Sequence, residues 1–387
     1  MPFYKDLSSR RYIHSLILLM GLCFFLSCKQ ASVPETKTAG TSVAYAQGFD
    51  IEDKGDYQLL HFFRHYEKAI DTLSYQLQPR SSSLEKDKQA DALITVPVEK
   101  IISLASPYAA MLEKLEALDK LVAIDQGDFV YSASVRDKLS QGALTELGGG
   151  PNLDVEKALS LEADILLYSA FPGSQSSKLE QLEALGTQTL PLAEWQEYSM
   201  LGRAEWIKVF GALLGKRKEA DSIFLEIDQI YQEVVAQVKP LSRQPVIISS
   251  LPFKGIWSVP GGDSYMAKLY QDAGARYYWR DQEGTASIPL SFEAVYPAGL
   301  EANIWISPGA IRSYKALIAQ DERFLDFSSV QNNKVYHNYK RSLQTGGNDY
   351  WESGVINPHL ILKDLVSIFH PELLPGYTRV YFEALEE

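Results

Sequence analysis

Apolar side chains recur at three- and four-residue steps between residues 216 and 239. Ile223, Ile227, Ile230, Val234 and Val238 fall on one face of a helix, and the stretch holds neither Gly nor Pro. Glu219, Asp221 and Glu226 lie toward its start and Lys239 at its end, as the helix dipole favours, and Pro240 predicts the stop. At ~1.5 Å per residue such a helix spans ~35 Å, roughly the width of a small domain. On both sides short apolar runs alternate with helical segments, the pattern of α/β units. The helix, placed at 216–240, therefore reads as a connector between two α/β lobes.

Residues 57–63, 72–78 and 92–98 carry Leu and aromatic residues between charged turns and predict strands, with a polar loop over 80–90. Residues 49–98 thus form a β-rich N-terminal extension. The first lobe follows at 99–215. Its signals are strands at 100–105, 121–124, 164–168 and 189–192, and helices at 108–118 and 179–185. A further helix opens after Gly148-Gly149-Gly150, with Asn152 as its expected N-cap. The second lobe occupies 241–387.

The N-terminus changes the picture. Lys5, Arg10 and Arg11 precede an apolar run, 16–26, too short for a comfortable membrane span, which ends in Phe25-Leu26-Ser27-Cys28. This resembles a bacterial lipoprotein signal, residues 1–27, with Cys28 as the lipidated residue. Residues 28–48, poor in large apolar side chains, read as a flexible tether. The sequence has two cysteines, Cys23 and Cys28, so the folded part has no thiol for a disulfide, a metal or a nucleophile. The formal charge of −12 becomes −14 without residues 1–27, and it argues against nucleic acid as a partner.

No G-x-S-x-G, H-E-x-x-H or Cys-x-x-Cys occurs. Gly211 to Lys216 lacks the spacing and the final Ser/Thr of a phosphate loop, and Ser83-x-x-Lys86 has no partner motif. His61 and His65 lie four apart in a strand, without metal geometry. His337 is a candidate axial ligand to haem iron, though a hydrogen-bonded role suits it better. No resident cofactor and no bound metal is expected.

Five stretches carry a family resemblance. They are KIISLASPYAAMLEKLEALDKLVAID from Lys100, LGGGPNLDVEKALSLEADILLYS from Leu147, and in the second lobe VPGGDSYMAKLYQDAGARYYWRD from Val259, IPLSFEAVYPAGLEANIWI from Ile288 and GNDYWESGVINPHLILKDLVSIFHPEL from Gly347. Their order over about residues 92–380 resembles the substrate-binding proteins of iron-complex and cobalamin ABC importers, in the form found in Bacteroidetes-type members. The resemblance implies two Rossmann-like α/β lobes joined by one long helix, a ligand cleft between them and limited closure. It also implies an ABC permease of the inner membrane as partner. In that family an acid near the top of each lobe pairs with permease arginines, and the matching positions are Asp154 and Glu293, with Asp standing for the usual Glu at 154.

The chain holds 22 Tyr, 16 Phe and 6 Trp. In an open α/β sheet, ligands sit at the carboxyl ends of strands. Loops expected there carry Tyr108, Phe129, Tyr131, Phe171 and Trp195 in the first lobe. The second offers Trp257, Tyr278, Trp279, Tyr350 and Trp351, with Arg280, Arg312 and Arg341 suited to ligand carboxylates or an anionic chelate. Tyr131, Trp195, Trp257, Trp279, Arg341, Tyr350 and Trp351 are the expected ligand contacts. The reading is a lipid-anchored, monomeric solute-binding protein of the cell envelope or periplasm that is not an enzyme. Its cargo is an iron chelate of the ferric-siderophore type, or else haem or cobalamin. A hydrolase on the same scaffold and an envelope lipoprotein that only contacts other proteins are the alternatives from other classes.

Overall fold

Alternation of buried and exposed residues builds the first sheet. Strands β1 (Phe49–Asp53), β2 (Gln58–Tyr66) and β3 (Ala69–Pro79) pair antiparallel, and β4 (Ala92–Val96) joins β3 in parallel. The computed structural model describes residues 43–66, 69–171 and 176–387, which fall in a unit running from Ser42 to Glu387. The rings of Phe49 and Phe62 pack on Trp206 at 5.1 and 5.5 Å, which seats this extension on the middle of the chain.

The first α/β lobe follows. Its strands are β5 (Ile101–Ser103), β6 (Leu121–Ile124), β7 (Thr145–Glu146), β8 (Ile165–Ser169) and β9 (Thr189–Leu192). They lie in the order β7-β6-β5-β8-β9, all parallel. Helices α1 (Ser106–Lys114), α2 (Ala133–Ser140), α3 (Val155–Ser160) and α4 (Ser177–Ala184) make the crossovers. Helix α1 stops four residues short of the expected end, because Glu116 takes a left-handed φ of 52°. The N-cap of α3 is Asp154, not Asn152: its side chain accepts from Lys157 N at 3.0 Å. Asn152 instead closes a tight turn against Gly148, whose φ is +73° and whose Cβ, if it had one, would lie 2.5 Å from the Asn152 carbonyl.

Three helices link the lobes: α5 (Met200–Glu205), α6 (Ile207–Leu214) and α7 (Arg217–Val238). Gly215, at φ +68°, caps α6 in the left-handed conformation, which explains the Gly-Lys-Arg stretch without any phosphate. The expected long helix is α7, but its buried stripe is Ala220, Phe224, Ile227, Tyr231, Val234 and Val238. Ile223 and Ile230 are only half-buried. The larger rings of Phe224 and Tyr231 take the inward face, between α6 and the C-terminal helix, so α7 is packed along its length rather than spanning a gap.

Expected tether residues 43–48 are ordered. The backbone N–H groups of Ala44, Tyr45 and Ala46 donate to Glu205, and those of Gln47 and Gly48 to Glu197, at 2.7–2.9 Å. The expected signal, Cys28 and the rest of the tether lie outside the described residues.

The second lobe holds β10 (Val246–Ser249), β11 (Trp257–Pro260), β12 (Arg276–Tyr277), β13 (Ser287–Leu290), β14 (Ile304–Ile306), β15 (Val335–His337) and β16 (Glu383–Ala384). The main sheet has the order β12-β10-β14-β15-β16, parallel except for β16, and β11 and β13 form a separate antiparallel pair. Helices α8 (Tyr265–Asp272), α9 (Phe292–Glu301), α10 (Tyr314–Ile318), α11 (Ser328–Gln331) and α12 (Pro358–Phe369) surround it. Ser264 serves as the N-cap of α8, accepting from Ala267 N at 3.2 Å.

Candidate functional site

Each parallel sheet has a point where successive strands turn to opposite sides, between β5 and β8 in the first lobe and between β10 and β14 in the second. Loops leaving the carboxyl ends of strands diverge there and leave a crevice. These loops carry most of the large rings that stay in solvent: Phe129 is 53% exposed, Phe171 54%, Tyr198 42%, Phe253 73% and Trp351 43%. Burying such rings against a ligand recovers about 25 cal/mol for each Å² removed from water.

At one end of the crevice the lobes touch. Glu352 sits beyond β15 and accepts the backbone N–H of Tyr131 and of Ser132, each at 2.7 Å, from the loop after β6. Thr345 Oγ1 donates to the Asp128 carbonyl at 2.7 Å. The Arg341 guanidinium lies 5.2 Å from the Tyr131 ring centroid and donates from Nε to Asp349 at 2.6 Å. Burial pushes the Glu352 carboxyl up to about 7, against the two N–H bonds that favour its charge.

Elsewhere along the interface a hollow of about 420 Å³ opens between Trp195, Glu197 and Tyr198 of the first lobe and Tyr265, Thr285 and Ser287 of the second. Trp195 Nε1 and Gln196 Oε1 are buried there without a hydrogen-bond partner. One is a donor and the other an acceptor, and a bound polar group would satisfy both. Burial raises the pKa of Glu197, although Trp206 Nε1 and two backbone N–H groups bond to it. Arg203 of α5 stacks on Tyr265 at 4.7 Å and lies 3.7 Å from Glu194, so the wall of the hollow is cross-linked between lobes.

Of the expected ligand contacts, Tyr131 and Arg341 are brought together at the touching end, Trp351 immediately precedes the Glu352 that bonds Tyr131 there, and Trp195 lines the hollow. Three are corrected. Trp257 is 0% exposed, surrounded by Phe292, Trp305, Phe324 and Phe327. Trp279 and Tyr350 are buried too, against Tyr277 and Tyr278 in one case and Trp351, Tyr381 and Phe382 in the other. In each case the ring fills the second lobe's core instead of facing the crevice. Tyr108 is likewise buried, its hydroxyl donating to Glu194 at 3.1 Å. Tyr198 and Phe253 were not expected. Tyr198 lies three residues after Trp195 and Phe253 four before Trp257, and their exposure, 42% and 73%, is what distinguishes them.

His337 is buried, accepts from Tyr339 N at 3.1 Å through Nδ1, and has its pKa lowered by burial to about 4, which makes it a neutral, hydrogen-bonded histidine. Among the described residues no group of three or more His, Cys, Asp or Glu is placed to hold a metal ion. Asp154 and Glu293 are both exposed in the N-terminal turns of α3 and α9. Glu293 Oε1 lies 3.6 Å from Arg323, and backbone and Ser291 hydrogen bonds lower its pKa.

Comparison with known proteins adds four findings. The family described as periplasmic binding protein matches residues 101–341, more than half of the chain. An uncharacterized lipoprotein of Methanocaldococcus jannaschii is 23% identical over 312 residues, 78% of this chain and 72% of the relative. The fold is similar to a periplasmic heme-binding protein from Pseudomonas aeruginosa, with a TM-score of 0.57, 16% identity, and coverage of 75% of this chain and 99% of that one. It is also similar to a possible iron-binding (periplasmic solute-binding) protein from Staphylococcus epidermidis, with a TM-score of 0.55, 18% identity, and coverage of 70% and 98%.

Proposed function

The chain belongs to the periplasmic binding protein family, and from that premise we propose that it is the solute-capturing lipoprotein of an ABC importer. It takes an iron chelate of the ferric-siderophore type into the crevice between its lobes and hands it to an inner-membrane permease. The observation that carries this reading is the set of exposed rings on carboxyl-end loops of both lobes, Phe129, Phe171 and Tyr198 in the first and Phe253 and Trp351 in the second. A monomeric protein with no partner for these rings would leave them in water at a cost, and a chelate with flat apolar faces suits them. Trp195 Nε1 and Gln196 Oε1 supply a donor and an acceptor for its polar rim. Arg341 offers a positive charge for an anionic chelate, since Asp349 occupies only its Nε. Haem and cobalamin share the large flat body and are the alternative cargoes. The Pseudomonas protein named for heme and the Staphylococcus protein named for iron support an iron-bearing cargo by fold alone.

Asp154 and Glu293 would meet permease arginines, one from each lobe. Lipid attachment at Cys28 would hold the protein at the envelope membrane, in keeping with the lipoprotein name of the Methanocaldococcus relative.

The test is a titration of the purified protein with ferric siderophores, haem and cobalamin, read by tryptophan quenching and calorimetry. One-to-one saturable binding of one of them, weakened by Trp351→Ala or Trp195→Phe, is the expected result. Absence of binding to the whole panel overturns the cargo class.

A further inference from the structure

A second hollow, of about 590 Å³, lies at the end of the second lobe opposite its carboxyl-end loops. The amino ends of β10, β14 and β15 form one side and the carboxyl end of α12 with the segment after it forms the other. Three cations line it: Arg243 just before β10, Lys334 just before β15 and Arg379 after α12. Among the described residues the side chains of Arg243 and Lys334 make no hydrogen bond or ion pair. The Arg379 guanidinium rests on the Tyr336 ring at 5.1 Å, which engages its face and leaves its N–H edge unbonded. Glu372 is the one carboxylate in the lining, and it lies 3.8 Å from His370 Nδ1. Asn303 gives its carbonyl oxygen to Val246 N–H at 2.9 Å, so its amide nitrogen is a further unused donor.

Three cationic heads and an unused amide donor therefore surround one concavity, in a chain of formal charge −12. Elsewhere in the described residues most arginines are spent on carboxylates, as Arg276 is on Glu301 and Arg323 on Asp321. We propose that this hollow is a second binding site, separate from the crevice, for a phosphate-bearing anion. Two guanidinium forks match pairs of phosphate oxygens, a lysine adds a point charge, and the volume suits a small ligand. The phosphate could arrive on a free small molecule or on the headgroup of an anionic phospholipid beside the anchored protein. The competing account is that these cations only offset the carbonyl groups ending α12.

The experiment uses the full chain in phosphatidylcholine nanodiscs, titrated with inorganic pyrophosphate at low salt. One-to-one binding is expected, weakened about tenfold or more by Arg243→Gln with Lys334→Met, while the melting temperature and the cargo titration stay at parental values. Repeating the titration in discs containing phosphatidylglycerol separates the sources. A weaker apparent pyrophosphate affinity there assigns the site to a lipid headgroup, and an unchanged affinity assigns it to a soluble phosphate. No pyrophosphate binding in phosphatidylcholine discs overturns the proposal, as does binding that the double variant leaves intact. A lowered melting temperature without anion binding shows instead that the cations serve α12.

Discussion

Glu352 of the second lobe holds the backbone N–H of Tyr131 in the first at 2.7 Å, and it does so with a buried carboxylate. Ser132 N–H bonds to its other oxygen, while Asp349 and Glu113 add negative charge nearby. Burial first, then these acids, lifts the folded-state pKa to about 7 from an ordinary 4.5. A raised folded-state value means the native chain keeps a proton that the unfolded chain has released. Stability from this group is full below about pH 4.5 and is lost as pH rises through about 7. Glu352→Gln removes the titration but leaves one N–H without an acceptor, a loss of about 1–3 kcal/mol. The variant should therefore be less stable than the parent at about pH 5, and the gap should narrow at about pH 8, where the parent carries a buried charge. Urea denaturation at both values checks this, and a gap that stays constant or widens with pH would refute the assignment.

Trp257 makes the opposite case, a ring committed wholly to the core. Its Nε1 donates to the Ser249 carbonyl at 2.9 Å, and four aromatic neighbours stand 5.4–6.3 Å from its centroid. Trp257→Ala should cost about 3–5 kcal/mol through the cavity it leaves. Trp257→Phe, which keeps most of the volume, should cost less and leave cargo affinity at the parental value. A Trp257→Phe protein that folds normally yet binds cargo poorly would return this residue to the crevice.

Trp257 and Phe253 also show where sequence reading stops. Both follow β10 within a few residues, both are aromatic, and nothing local separates them. The pairing of β11 with β13 turns Trp257 inward, while Phe253 stays 73% exposed at the loop tip. The long helix was legible because its apolar period persists over six turns. The strands at 121–124 and 189–192 were legible because short apolar runs lay between clear turns. Helix α6 was not, since nearly every residue in it is buried and no polar face marks a period. Glu197, Arg203 and Glu205 carry no mark in the sequence that sets them apart from surface charges, yet all three are buried. The partners of the two glutamates are the amides of residues 44–48, about 150 positions away, so no local pattern could reveal them.

Trp351 is the aromatic whose two roles separate most cleanly. It stands edge-on to Tyr350 at 4.7 Å but keeps 43% of its surface in solvent. Trp351→Ala should lower cargo affinity by about tenfold, corresponding to ~1–2 kcal/mol of lost ring contact, with little change in melting temperature. Phe253→Ala, exposed on another loop of the same lobe, should act in the same direction. Calorimetry with the identified cargo, alongside thermal unfolding, provides the measurement. Parental affinity in both variants would place the cargo elsewhere than among the exposed rings.

Asp154 has two jobs to be told apart, because its carboxylate caps α3 through Lys157 N and also stands exposed at the proposed permease face. Asp154→Ala removes both and should destabilise the helix start by about 1 kcal/mol. Asp154→Ser keeps an oxygen for the cap but discards the charge. If the residue docks the permease, Asp154→Ser should retain stability yet reduce cargo-dependent ATP hydrolysis by the reconstituted transporter. Glu293→Gln should do the same from the other lobe. Arg323 lies 3.6 Å from Glu293 and competes for it within the chain, so Arg323→Gln should strengthen rather than weaken docking. Equal ATPase stimulation by the parent, Asp154→Ser and Glu293→Gln would leave Asp154 as a helix cap alone. A loss shown only by Asp154→Ala would lead to the same conclusion, since that variant differs from Asp154→Ser in the cap and not in the charge.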